Sequence, residues 1–341
     1  MTHPPSPTGI SLHVDRAVDA TSWDEAALAL GAPIFHSSAW SEYRSGGSRT
    51  PLFFRWTADD QAAPTAIAIG TLVPAAPGLG RCVASLQFDS APVSGAPGLD
   101  LLTPVVDWAL AHRTIAEVRL GSFGSQGAWR SGVLPNPVAR IEFLVAPSPR
   151  ADIVRRMHRL ARRSIRKAEG LGLLVRQGRP EDVHNFARLH RQTLIRLNRR
   201  KGVSLASSLD VDAVARLIDL GAASLYLTEE AGDPVVGWLF GTFGADAYSL
   251  LSGNGERALE TGAVPLTLAH ALSDLFERGF TRLNVGGVEA SARAPDSPDH
   301  GLFAFKAGLG TTQVERTSGR VVCRPLPHLA LSLARRVVRR G

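Results

Sequence analysis

Residues 223–254 read ASLYLTEEAGDPVVGWLFGTFGADAYSLLSGN. Three apolar runs are separated by the turn sequences EEAGDP and FGAD, which predicts three consecutive antiparallel strands. The next stretch, GAVPLTLAHALSDLFERGF (262–280), predicts a helix with Pro265 in its first turn and Gly279 at its end. TRLNVGGV (281–288) predicts one more strand. Three antiparallel strands, a helix and a strand are therefore the order of elements that decides the fold.

This order of elements is that of an acyltransferase core of the N-acetyltransferase type. Such a core holds the pyrophosphate of acyl-CoA at the N-terminus of the helix, where unpaired N–H groups and the helix dipole attract phosphate. The equivalent stretch here is GNGERALETGAVPL (253–266). It lacks the Gly-x-Gly/Ala spacing after Arg or Gln, and Pro265 removes one N–H donor. The pattern therefore predicts an acyl donor but a degraded CoA-phosphate signature.

The chain of 341 residues is long enough for two domains of about 150 residues. Its first half alternates strand and helix signals in a similar order, and APSPRA (146–151) is typical of a linker. We predict an α/β (α+β) fold of two tandem N-acetyltransferase-like domains with mixed, mostly antiparallel sheets. The predicted divisions are an N-terminal domain (1–149), a C-terminal domain with the transfer site (150–322) and a basic C-terminal helix (323–341).

The composition is that of a soluble globular protein, with 44% hydrophobic residues. No apolar run approaches the ~20 residues of a membrane span, and the N-terminus has no export signal, so we expect a cytoplasmic protein without a transmembrane segment. Cys82 and Cys323 are expected to be free thiols. The ten histidines show no ligand spacing, and we predict no metal. The sequence gives no indication of an oligomeric state.

The net charge of +7 indicates either a polyanionic partner or an arginine-rich solvated surface. The densest segment is RADIVRRMHRLARRSIRKAEG (150–170), which predicts one helix. Its arginines surround an apolar face, so both readings of the charge stay open. The predicted face comprises Ile153, Met157, Leu160, Ala161, Ser164 and Ala168. The candidate tRNA-phosphate contacts are Arg155, Arg159, Arg162 and Arg166.

Six segments in this order resemble the Fem-type aminoacyltransferases: SSAWSEY, RLARRSIRKAEGLGLLV, LHRQTLIRLNRRKG, YSLLSGN, RLNVGG and GLFAFKAGLG (301–310). That family, related to the enzymes of peptidoglycan bridges, has two N-acetyltransferase-like domains. Many members move an amino acid from aminoacyl-tRNA to an amine, and other relatives use acyl-CoA. One difference is that RLNRRKGVSLASSLDVD (196–212) leaves no room for the long helical hairpin of the bridge-building enzymes.

The resemblance implies an aminoacyltransferase that uses aminoacyl-tRNA as co-substrate and needs no other cofactor. Its acceptor would be an amine on a peptidoglycan precursor or on a small-molecule or antibiotic intermediate. Two alternatives stay open. One is an acyl-CoA-dependent N-acyltransferase on the same fold, and the other is a non-catalytic tRNA-binding protein.

The GLFAFKAGLG segment contains one cation among apolar and glycine residues. We expect a strand with Phe303 and Phe305 on one side and Lys306 on the other, and we expect Gly308 and Gly310 to let the backbone approach a ligand. By the resemblance, Phe305 stacks on a terminal base and Lys306 is catalytic, stabilising the transition-state oxyanion or the leaving oxygen. The alternative is a lysine that snorkels from an edge strand.

The resemblance implies substrate contacts at one tyrosine and two arginines, and one tryptophan and two glycines are further candidates. For the tyrosine and the tryptophan the alternative is core packing, and packing is favoured for the tryptophan. For the two arginines it is a charge at a helix C-terminus, and the two glycines are expected to line the cleft. These residues are Tyr248, Arg196, Arg199, Gly286, Gly287 and Trp40.

Overall fold

The computed structural model describes residues 10–46, 48–58, 63–74, 83–96, 98–125, 129, 137–201 and 209–325. The described chain divides into two compact units. The first comprises residues 10–140 and 316–325, and the second comprises residues 141–315. Within these residues no helix is long and apolar enough to cross a membrane.

The first unit is built on a mixed sheet with the strand order β1-β2-β3-β4-β6-β13, in which β5 pairs with β3. Among the described pairs in this sheet, β4 and β6 are parallel and the others are antiparallel. The elements are β1 (Ile10–Asp15), α1 (Ala20–Ala29), α2 (Ser38–Arg44), β2 (Thr50–Ala58), β3 (Ala66–Pro74), β4 (Ala84–Phe88), β5 (Val93–Ser94), α3 (Leu102–Ala111), β6 (Ile115–Leu120) and β13 (Thr312–Val322).

The second unit has the strand order β7-β12-β11-β10-β9-β8. The strands β8 to β11 pair antiparallel, and β11 pairs parallel with β12. The elements are β7 (Val138–Val145), α4 (Arg150–Arg156), α5 (Arg159–Gly170), β8 (Leu174–Gly178), α6 (Val183–Lys201), α7 (Val211–Asp219), β9 (Ala223–Glu230), β10 (Asp233–Phe243), β11 (Asp246–Asn254), α8 (Glu256–Thr261), α9 (Ala263–Glu277), β12 (Arg282–Glu289) and α10 (His300–Ala307).

Apolar burial explains the strands of both units. In the first unit, alternate residues of β2 such as Phe54 and Trp56 pack with Trp108 of α3. In the second unit, α9 is apolar on nearly every side and is buried along its length, from Ala263 to Leu275. A helix that is apolar all round is stable only inside a core, so α9 forms the centre of this unit. The predicted fold class and the predicted order of β9, β10, β11, α9 and β12 are confirmed.

The division between the units differs from the predicted boundary at residues 149 and 150. It falls after Arg140, because β7 enters the second unit there. Residues 316–325 return to the first unit, since β13 pairs with β6 from Gly319 to Val322. The proline-rich segment at 146–151 is the connection from β7 to α4, with Pro149 at the N-cap. Most of the predicted C-terminal helix (323–341) lies outside the described residues.

The predicted basic helix over residues 150–170 is two helices. Met157 and His158 have extended backbone between α4 and α5. His158 donates its N–H to the Gly308 carbonyl at 2.7 Å, so a contact from a distant segment interrupts the helix. The predicted apolar face is correspondingly wrong at Leu160, which is 61% exposed, and it lacks Ile165, which is buried.

Candidate active site in the second unit

The two parallel strands of the second unit separate soon after they meet. They pair over three residues, from Asp246 with Arg282 to Tyr248 with Asn284. Both strands continue beyond that point without pairing with each other, and β11 contains an irregularity between Ser249 and Leu251. The result is an opening between β11 and β12 in which their backbone groups need other partners.

Lys306 lies at the β12 side of this opening. It lies on α10, is 8% exposed, and donates a hydrogen bond of 2.7 Å from Nζ to the carbonyl oxygen of Val285. Val285 directly follows the last paired residue of β12. The strand predicted for residues 301–310 is wrong, because the segment begins as a helix that packs Phe303 and Phe305 against the core. The snorkelling alternative is wrong as well, since the ammonium is buried.

Gly286 has a backbone conformation and a packing environment that favour glycine. Its φ is +76°, a left-handed conformation that L-residues with a Cβ rarely adopt. A Cβ there would lie 3.0 Å from Lys306 Nζ. Gly286 is buried and Gly287 is half-buried. The predicted cleft residue Gly286 and the predicted catalytic Lys306 are thus in contact range.

A buried polar network lies at the same place. Tyr248 donates from its hydroxyl to Glu142 Oε1 at 2.9 Å, and Asn284 donates from Nδ2 to Glu142 Oε2 at 2.9 Å. Asn284 Oδ1 accepts the N–H of Gly286 at 2.8 Å. The predicted substrate residue Tyr248 is buried and belongs to this network. The structure therefore joins Tyr248, Gly286 and Lys306 through Glu142 and Asn284, which sequence reasoning missed.

The two glycines after Lys306 approach the protein backbone, which differs from the expected approach to a ligand. A Cβ at Gly310, whose φ is +75°, would lie 2.7 Å from the Arg156 carbonyl oxygen. Gly308 accepts the hydrogen bond from His158. The Gly-x-Gly sequence thus allows the junction of α4 and α5 to pack on the end of α10, and this contact fixes the helix that carries Lys306.

Helix α5 covers the N-terminal turn of α9. Gly262 caps α9 with a φ of +78°, and a Cβ there would lie 2.7 Å from the Ser164 carbonyl oxygen. Lys167 donates from Nζ to the Glu260 carbonyl oxygen at 2.5 Å. Ala263, the first residue of α9, is fully buried. The backbone of α5 therefore packs directly against the turn where the acyl-CoA pyrophosphate was expected.

Three of the four predicted tRNA contacts line one groove. The groove has a volume of about 490 Å³ and an apolar floor that includes Val154 and Ile165. Arg150, which pairs with Glu169 at 2.5 Å, also borders it. Its predicted wall residues are Arg159, Arg162 and Arg166. The fourth predicted contact, Arg155, lies on α4 outside the groove and pairs with Asp152 at 3.0 Å.

The remaining predicted residues lie elsewhere. Arg196 donates from Nη2 to the Asn254 carbonyl oxygen at 2.6 Å and so fixes the end of β11, whereas Arg199 on the same helix is exposed. Trp40 belongs to the first unit, where it is buried against Phe35 and donates from Nε1 to Asp89. These contacts fit the favoured packing interpretation of Trp40.

Within the described residues, no group of three or more His, Cys, Asp or Glu side chains is arranged to hold a metal ion. Cys323 is a free thiol, half-buried, and burial raises the pKa of its thiol. Cys82 lies outside the described residues.

Residues 155–300 match the family model of the acetyltransferase (GNAT) domain. The second unit carries a GNAT-type acetyltransferase domain. This GNAT domain contains the whole opening between β11 and β12, whereas Lys306 and Glu142 lie just outside the matched range. No curated protein sequence matches the chain.

Solved structures share the fold of the full chain. FemX is 14% identical, with a TM-score of 0.67, over 94% of this chain and 100% of FemX. The C-terminal domain (DUF2156) of a candidate lysylphosphatidylglycerol synthetase from Agrobacterium fabrum is 14% identical, with a TM-score of 0.56, over 95% and 98% of the two chains. A tandem GNAT protein from the clavulanic acid biosynthesis pathway is 10% identical, with a TM-score of 0.50, over 92% and 99%. The resemblance to the Fem-type fold is confirmed.

One sequence signal pointed to the missed carboxylate in the GNAT site. Glu142 is the one charged residue in IEFLV (141–145), a run that is otherwise apolar and that forms a buried part of β7. A carboxylate inside an apolar strand requires polar partners in the fold. Asn284 lies in the RLNVGG segment, two residues before the first of the two cleft glycines.

Proposed function

We propose that this GNAT-fold protein is an acyltransferase that moves an amino acid from aminoacyl-tRNA to an amine and so forms an amide bond. The observation that carries the proposal is the ammonium of Lys306 inside the opening between β11 and β12. A buried cation costs free energy unless it is hydrogen-bonded and compensated by an opposite charge. Its position fits the stabilisation of negative charge on a reacting carbonyl group.

The proposed reaction needs positioning more than activation. The nitrogen of the acceptor amine attacks the carbonyl carbon of the aminoacyl ester, a C–N bond forms, and the carbonyl electrons move to oxygen. Collapse of this intermediate breaks the C–O bond to the ribose, and the proton lost by the amine ends on the ribose hydroxyl or on water. Lys306 donates to the oxyanion or to the leaving ribose oxygen. Because the ester is already activated, aminoacyl-tRNA is the sole co-substrate that the proposal needs.

The surroundings of α9 favour tRNA over CoA as the donor. The backbone of α5 lies against the turn at Gly262, where acyl-CoA would place its pyrophosphate. Next to it, the groove offers Arg150, Arg159, Arg162 and Arg166 for phosphates. Arg155, which lies outside the groove, is also kept as a proposed contact to tRNA phosphate.

The acceptor is proposed by class. An amine on a peptidoglycan precursor or on an antibiotic intermediate fits the fold neighbours, which include FemX and a protein of clavulanic acid biosynthesis. Of the predicted substrate residues, Phe305, Tyr248, Gly286 and Gly287 are proposed to bind the substrates in the second unit. Arg196 and Arg199 stay predicted contacts on α6, and Trp40 is assigned to packing in the first unit. We place the protein in the cytoplasm, since charged tRNA is found there.

A second candidate is an acyl-CoA-dependent N-acyltransferase. It is favoured by the match to the acetyltransferase (GNAT) domain model over residues 155–300. It requires the acyl donor to bind without the N-terminal amides of α9, because the backbone of α5 covers that turn.

A transfer assay with charged total tRNA and a panel of amines tests the proposal. We expect amide formation that is lost when the charged tRNA is treated with ribonuclease and that acetyl-CoA does not restore. Lys306→Ala is expected to lower turnover about 100-fold, the effect of losing one oxyanion donor. Transfer from acetyl-CoA alone, at a rate unaffected by ribonuclease, would establish the second candidate instead.

A further inference from the structure

Two charged side chains are buried among the described residues of the second unit, and they have opposite signs. Glu142 is 0% exposed and Lys306 is 8% exposed. A charge in a low-dielectric interior is costly unless it is both hydrogen-bonded and compensated by an opposite charge. We therefore expect each of these two charges to be compensated by an opposite charge within the second unit.

The hydrogen bonds bring the two charges to one point of the fold. Asn284 and Tyr248 form the last pair before β11 and β12 separate, and both donate to the Glu142 carboxylate. The next residue of β12, Val285, accepts from Lys306 Nζ. Adjacent residues of one strand thus bond the carboxylate through a side chain and the ammonium through the backbone.

The same network fixes the backbone that Lys306 contacts. Asn284 Oδ1 accepts the N–H of Gly286, so the orientation of the Asn284 amide is set by Glu142 on one side and by Gly286 on the other. A Cβ at Gly286 would lie 3.0 Å from Lys306 Nζ. Any shift of this turn therefore moves the surroundings of the ammonium.

We infer that Glu142 is the counter-charge of Lys306 and the residue that positions it in the opening between β11 and β12. Without a nearby negative charge, burial favours the neutral amine of a lysine, which cannot supply a positive charge to an oxyanion. Glu142 is a positioning residue, because it acts through Lys306 and the turn at Gly286. The pairing stands on the geometry of the second unit, and its effect on turnover rests on the proposed function.

The chain offers a charge variant that keeps the hydrogen bonds. In Glu142→Gln the new amide oxygen can accept from Asn284 Nδ2, and the new amide nitrogen can donate to the Tyr248 oxygen, since a hydroxyl also accepts. Lys306→Met removes the ammonium and keeps an unbranched chain. The matched control is Glu117→Gln in the first unit, which removes a carboxylate that is also 0% exposed and that accepts from Ser85 and Arg119.

Urea unfolding of the full chain, followed by far-ultraviolet circular dichroism, tests the pairing. Each single change is expected to lower the unfolding midpoint, and the Glu142→Gln/Lys306→Met double variant is expected to lose clearly less than the sum. Glu117→Gln combined with Lys306→Met is expected to lose the full sum. Additive losses in the Glu142 and Lys306 pair would overturn the inference.

The experiment remains decisive even if the Lys306→Met single variant does not fold. In that case, recovery of a cooperative transition on adding Glu142→Gln supports the pair. A double variant that also stays unfolded, while Glu142→Gln alone folds, overturns it.

Transfer kinetics test the positioning role. Glu142→Gln is expected to lower kcat per folded enzyme about tenfold or more, an effect of the size that interacting residues have on each other. The dissociation constant for charged tRNA is expected to stay unchanged. An unchanged kcat would overturn the positioning role. Non-additive unfolding together with a wild-type chain that transfers nothing from tRNA would mean that the pair stands and the proposed function fails.

Discussion

At the scale of single residues, Gly286 gives a test of how closely the position of Lys306 is set. Gly286→Ala places a methyl group 3.0 Å from Lys306 Nζ and strains a φ of +76° by about 1 kcal/mol or more. The flexible lysine end is expected to move, and turnover in the transfer assay is expected to fall about tenfold, the effect of a misplaced donor.

Gly279→Ala is the matched control for this change. Gly279 has a φ of +94°, but a Cβ there meets nothing within 4 Å. It is expected to lower the melting temperature without lowering turnover. Equal turnover of the Gly286 and Gly279 variants would show that the position of the lysine does not depend on this turn.

Single residues also show what the sequence could predict of the site. Lys306 stood out because a cation was unexpected in an apolar, glycine-rich segment, and Gly286 stood out as one of two glycines ending a strand. Glu142 was missed because its partners are distant, since Tyr248 is 106 residues and Asn284 is 142 residues away in sequence. Local spacing carries no information on contacts of that range.

At the scale of elements, periodicity predicted the strands of the second unit well and the basic segment less well. Strands β9 to β11 have turn sequences between them, and these fix where each strand ends. In the basic segment the helix breaks at Met157 and His158, and no glycine or proline stands there to indicate the break. The break depends on the hydrogen bond from His158 to Gly308, which the residues 150–170 do not encode by themselves.

Some arginines of the basic segment line the groove, and others lie outside it. Arg159→Gln/Arg162→Gln removes two groove cations, and Arg163→Gln/Arg191→Gln removes two exposed cations outside it that are not predicted tRNA contacts. Plots of log affinity for charged tRNA against log salt are expected to flatten by about 0.9 per lost phosphate contact in the first variant, and hardly at all in the second. Equal flattening would show that tRNA responds to the overall surface charge.

At the scale of the whole molecule, the two units have a similar order of elements and differ at the parallel strands. In the first unit, β4 and β6 pair from Ala84 to Phe88, and Gly121 extends the pairing by donating to the Phe88 carbonyl. In the second unit the pairing ends at Tyr248. The sequence predicted the repeated order, but the opening depends on side chains that replace backbone partners. Lys306 of α10 donates to the Val285 carbonyl, and Asn284 of β12 accepts the N–H of Gly286. The geometry therefore favours the second unit as the transfer site.

The first unit has its own sensitivity to acid, set by His36. Its Nδ1 accepts the N–H of Ile69 at 3.2 Å, so Nε2 carries the proton and donates to the Ala91 carbonyl at 2.8 Å. The imidazole is neutral in this arrangement, and burial lowers the pKa of His36 from 6.5 to about 4. In the unfolded chain the pKa of His36 is about 6.5, so above this pH the residue is neutral in both states and does not lower the stability of the first unit. As the pH falls from 6.5 to 4, the unfolded chain binds the proton and the folded chain does not. The free energy of unfolding of the first unit therefore decreases by up to about 1.4 kcal/mol per pH unit over this range.

Tryptophan fluorescence is well suited to measure this loss, because Trp23, Trp40, Trp56, Trp108 and Trp129 belong to the first unit and Trp238 to the second. Urea unfolding at pH 7.5 and pH 5 compares the wild type with His36→Gln, whose amide can accept at one atom and donate at the other without titrating. We expect His36→Gln to be the less stable chain at pH 7.5, since a glutamine fits the histidine cavity poorly. We also expect the difference to shrink by about 1–2 kcal/mol at pH 5, where the wild type alone bears the cost of a neutral buried imidazole. A difference that stays constant between the two pH values would contradict the assignment of this acid sensitivity to His36.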